Sequence, residues 1–170
     1  AITAGKDADV SGNVTAQNNA DITAANNAMV TGNVTATDGT ANIAATEGTA
    51  TVEGAVTAGT NAAIAAGKDA EVSGNVTAQN NATITATNNA TVTGDVTATD
   101  GNAVIMAYEG NASVDATVMA GQVVGIAANG NTTVAGEVIA GSDAIILATE
   151  GNADVQASVT AGNNADIVAG

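Results

Sequence analysis

The side chains of this chain that could hold a hard cation are carboxylates beside glycine. Asp38 and Asp100 sit in TDG turns, and Glu47, Glu109 and Glu150 in TEG or YEG turns. Such carboxylates suit oxygen ligation of Ca2+, because glycine lets the backbone turn closely about an ion. The calcium-binding nonapeptide G-G-x-G-x-D-x-U-x is absent. The turn glutamates recur only every two or three repeats, so the sequence supplies single carboxylates rather than a dense cage. Keeping the surface soluble is the competing role of these charges. Calcium is thus the one cofactor the sequence admits.

Catalysis has less to stand on. The chain has no His, Cys or Arg. Acid–base and nucleophilic chemistry need paired titratable groups in a cleft, and the turns are too short to build one. The expectation is a protein that is not an enzyme. Two other patterns carry possible chemistry. Thr15, Thr35, Thr57, Thr77 and Thr97 form one outward column, a pattern that could order an ice surface, although threonine is also an ordinary exposed strand residue. That column then becomes Met119 and Ile139, and its neighbour is mixed: Asn13, Asn33, Ala55, Asn75, Asp95. Seven asparagines (Asn13, Asn33, Asn75, Asn81, Asn89, Asn111 and Asn131) fit N-x-[ST], matches that a chain rich in Asn and Thr also produces by chance.

Composition limits the partners. Among 170 residues the formal charge is −15, and only Lys6 and Lys68 are positive. A basic footprint for nucleic acid is missing, and an anionic membrane should repel this surface. No apolar run approaches the roughly 20 residues of a membrane-spanning helix. Phe and Trp are absent and Tyr108 is the single aromatic residue, so the core must be thin and built of Ala, Val and Ile.

The elements that position these residues follow from one repeated stretch, DAEVSGNVTAQNNATITATNN over Asp69–Asn89. Val72, Gly74, Val76 and Ala78 alternate with polar neighbours, the period of a strand with one buried face. Asn80 and Asn81 interrupt it, Ala82, Ile84 and Ala86 resume it, and Asn88 and Asn89 end it. Such a unit cannot bury its own apolar side and must stack on a copy. Copies recur about every 20 or 21 residues, on an isoleucine column from Ile2 to Ile167 and on valine columns starting at Val10 and Val14. A period in this range marks a solenoid. Above it, residues 1–62 match 63–124 at about two thirds of positions, so the chain reads as one solenoid of three-coil blocks, 1–62, 63–124 and a partial 125–170.

The expected fold is all-β: a parallel β-solenoid, right-handed by the default of parallel crossovers, of about eight coils. At about 4.8 Å per coil the rod is about 40 Å long. A column of small residues, Gly12, Gly32, Gly54, Gly74, Gly94, Ala116, Gly136 and Ala157, either thins the core or bends the long strand. Bending gives three faces, the favoured form, and a flattened two-faced coil is the alternative. A turn column running from Asn19 through Asn61, Asn81 and Asn102 to Asn164 is expected to fix register. Its side chains could bond along the axis, and asparagine also tolerates left-handed turn backbone.

The pattern A-x-V-x-G-x-V-x-A followed by A-x-I-x-A, clearest in AMVTGNVTA (28–36) and AEVSGNVTA (70–78), resembles the repeats of filamentous-haemagglutinin-like adhesins. The resemblance covers nearly the whole chain. It implies a right-handed β-helix forming the shaft of a secreted bacterial surface protein, hence an extracellular location. The V-x-G-[ND]-V-x-A core is also similar to bactofilins, which are polymerising β-helices, although the coil here is slightly longer and Lys and Arg are scarce. A shaft would be one segment of a longer chain, whereas a filament subunit would stack its first coil on another subunit's last; the expected partners are copies of the chain itself, end to end or side by side. No cap appears at 1–5 or 164–170, so both ends are expected to be covered by more protein. On the side of the rod, Val104, Met106, Ile145, Leu147, Met119 and Ile139 occupy outward positions near Tyr108. They predict one apolar stripe on the C-terminal half that packs laterally against another solenoid.

Overall fold

The alternation in the sequence becomes 25 short strands and no helix in the computed structural model, which describes all 170 residues. Each circuit of the chain makes three strands, as in Ala20–Ala24, Ala28–Val30 and Val34–Ala36. Like stacks on like. A wide sheet of nine strands runs from Ile2–Ala4 to Ala165–Ala169. A second sheet of eight runs from Ala8–Val10 to Ala153–Val155, and a third of eight from Val14–Ala16 to Val159–Ala161. All three are parallel, and they close into a three-faced solenoid of about 8 turns.

Register follows the columns seen in the sequence. Ile43 pairs with Ile64, Ile64 with Ile84 and Ile84 with Ile105 on the wide sheet. Val52, Val72 and Val92 align on the second sheet, and Val56, Val76 and Val96 on the third. Each circuit sends a short list of side chains inward: Ala20, Ile22 and Ala24, then Ala28 and Val30, then Val34 and Ala36, all buried. Three β-branched residues and four alanines fill the cross-section, which leaves no room for an aromatic ring. Stacked coil on coil, they form one continuous core cluster. Each buried Val or Ile contributes about 1.5–3 kcal/mol, so the rod gains stability in proportion to its length. Thr132 replaces the usual alanine at one buried position, and its Oγ1 donates to the Leu147 carbonyl at 2.7 Å, which leaves no buried side-chain polar atom unpaired.

The small-residue column lies at the corner between the second and third sheets and bends the long strand there. No residue, glycine included, adopts positive φ, so the column is not explained by left-handed backbone. Close approach explains its glycines from Gly32 to Gly136. A Cβ added to Gly54 would sit 2.1 Å from the Gly32 carbonyl oxygen, and one on Gly74 would sit 2.1 Å from that of Gly54. The same observation removes left-handed backbone as the reason for asparagine at the turns. The flattened two-faced coil is excluded by the three separate sheets.

Candidate functional site

The five turn carboxylates fall on two different corners. Asp38 and Asp100 lie between the third and wide sheets, after Val34–Ala36 and Val96–Ala98. Three coils separate them, about 14 Å at the strand spacing. Each is bonded to a glutamine one coil earlier: the side-chain amide of Gln17 donates to Asp38, and that of Gln79 to Asp100. Glu47, Glu109 and Glu150 lie on the corner between the wide and second sheets, and Glu150 accepts from Asn129 Nδ2 at 3.3 Å. Nowhere do three Asp, Glu, His or Cys side chains gather as a cation would require. The calcium candidates are therefore separate carboxylates, two of them held by glutamine amides.

The threonine column is real but single. Thr15, Thr35, Thr57, Thr77 and Thr97 stack in register on the third sheet, followed by Met119 and Ile139. Strands of this sheet are three residues long, with both ends pointing inward, so each shows solvent one side chain. A plane of matched hydroxyl rows cannot form from one file.

The turns carry the most regular polar geometry. At all three corners a side-chain oxygen accepts the backbone N–H of the residue one coil further on. Asn81 Oδ1 takes the Asn102 amide at 3.0 Å between the third and wide sheets. Asn89 Oδ1 takes that of Asn111 at 3.0 Å between the wide and second sheets. Asn75 Oδ1 takes that of Asp95 at 3.0 Å between the second and third. Amide-to-amide bonds also occur, as from Asn81 Nδ2 to Asn61 Oδ1 at 3.1 Å. All seven N-x-[ST] asparagines serve as such acceptors. Sequence reading found one of these three ladders. It missed the other two because aspartate serves as well as asparagine when only the oxygen is used, as at Asp7, Asp69 and Asp95.

The outward apolar residues divide between two faces. Val104 and Met106 on one strand of the wide sheet, and Ile145 and Leu147 two strands further on, flank Gly125 and Ala127. Two ridges thus border a valley, with Tyr108 exposed at its rim. The groove between Met106, Tyr108, Ala127 and Leu147 has a volume of about 200 Å³. Met119 and Ile139 are elsewhere, on the third sheet, where they border a separate depression of about 270 Å³ with Thr97. The single stripe expected from the sequence is therefore two patches. Alternation predicts which residues point outward, but the corner decides which face they point from. From Asn42 to Leu147 the outward positions of the wide sheet carry no charge. The second sheet by contrast shows Asp9, Glu71 and Asp154, and also Met29, an exposed apolar residue that the sequence reading did not single out.

Protein-family models, curated proteins and solved structures contain no match to this chain.

Proposed function

We propose that the chain is a structural β-solenoid, a shaft or fibre-forming segment of a secreted cell-surface protein, whose work is mechanical and not catalytic. The observation that carries this reading is continuity: three in-register sheets and three corner ladders run along one axis, with no loop departing from the rod. The residue types agree, since His, Cys and Arg are missing and the carboxylates stand apart. Gold-labelled antibodies against the chain, applied to intact source cells, test the location. Label on the outside, along thin projections, is the expected result. Label only after permeabilisation would favour the bactofilin-like alternative, an internal filament, and overturn the surface reading.

The partner of the wide sheet is a second copy of this chain. Two copies of an acidic rod repel each other least where their facing sheets are uncharged. Ridge and valley lie one strand spacing apart, and a second copy presents the same spacing by construction. Across a two-fold axis the ridge of each would enter the valley of the other, an isologous contact. Replacing Met106, Ile145 and Leu147 together by Thr should leave the fold intact and abolish concentration-dependent association in sedimentation velocity. Unchanged association in the triple variant, or a native chain that stays monomeric at every concentration, would sink the contact.

A further inference from the structure

The corner ladders stop together at one level. In chain order the corner positions of the first circuits are Asp7, Asn13, Asn19, Asn27 and Asn33, and each side chain accepts the amide one coil on. The next three, Thr40, Thr49 and Ala55, do not. Thr40 Oγ1 instead meets Thr60 Oγ1 at 3.1 Å, and the other two make no such bond. The amides they would have held, those of Asn61, Asp69 and Asn75, have no intramolecular acceptor. Rungs resume at Asn61 and continue without a gap to Asn111. Later gaps at Thr117, Val123 and Glu137 are interrupted by a rung from Asn131, so no later circuit is bare.

The strand pairing crosses this level intact, from Ile43 to Ile64, Val52 to Val72 and Val56 to Val76. The level is therefore a weaker plane within a continuous fold, and it coincides with the end of the 1–62 block. We propose that it is a built-in release plane: the first three coils, residues 1–58, open from the rest of the rod as one cooperative unit, and the rod yields there first. A side-chain to backbone hydrogen bond shifts an opening equilibrium by about fivefold toward the closed form, so three absent rungs favour opening by about a hundredfold. Opening bares the sheet edges at Ala41–Ala45 and Ala62–Ala66, which nothing else in the chain covers.

Fraying from a free end would also weaken these coils, but protection would then decline smoothly toward Ala1. A release plane gives a step. Amide hydrogen exchange by NMR on the whole chain separates the two. The strand amides of 20–58 should share one protection level, about a hundredfold below those of 82–120, with the change confined to the boundary. The triple variant Thr40→Asn, Thr49→Asn, Ala55→Asn should erase the step and slow exchange at Asn61, Asp69 and Asn75. A second variant transplants the plane. Positions 102, 111 and 117 lie 62 residues on from 40, 49 and 55, and Thr117 already lacks a rung. Asn102→Thr with Asn111→Thr should therefore create a second step one block further along. A smooth gradient in the native chain would overturn the proposal. So would a double variant with no new step, whatever becomes of the triple variant.

Discussion

Gly74 shows how a single position can set the shape of the rod. It lies where the second sheet turns into the third, with a neighbouring carbonyl 2.1 Å from where a Cβ would stand. Gly74→Val should destabilise the chain by about 2 kcal/mol, read as a lower urea midpoint, because the corner must shift to admit the side chain. Burial sets the scale at the opposite side of the cross-section. Ile84 is fully buried, and Ile84→Ala should cost about 3 kcal/mol by the same measurement. Both positions were legible in the sequence, since alternation and the repeat fix which side chains face inward. The reason for the glycine was not legible. A small residue could thin the core or turn the chain, and only the approach of one coil to the next decides between them.

Strands of three to five residues, none able to stand alone, owe their order to neighbours above and below. The corner ladders add directional bonds to that stacking. Asn81 holds the Asn102 amide at a partly buried corner, so Asn81→Ala leaves a backbone donor unpaired and should cost about 1–2 kcal/mol. Asn81→Asp keeps the oxygen and should cost less, which differential scanning calorimetry can resolve. Equal losses for the two substitutions would mean that the donor side of the amide matters more than its acceptor. The ladder between the third and wide sheets could be read from its asparagines. The other two were hidden by mixed composition, because the requirement is an acceptor at the right height and not a residue type. Faces were misjudged for a related reason. The outward sense of Met119 and of Met106 was correct, yet a corner separates them, and alternation carries no record of the angle at a corner.

At the scale of the molecule the charge is spread thinly along the rod, with no gathering of carboxylates. Added calcium should therefore leave the melting midpoint where it is, and a stabilisation that saturates with calcium would reveal a site the separate carboxylates do not suggest. Salt should act instead through screening, strengthening side-by-side association as repulsion between acidic rods falls. If the chain works as a shaft, as proposed, the solenoid axis is the long axis of a larger rod that bears load. Electron cryomicroscopy of the material isolated from its source decides this. The expected result is slender rods with a repeat of about 4.8 Å along their length, the chain's coils stacked on that axis. Coils lying across the rod, or the chain found within a globular particle, would contradict it.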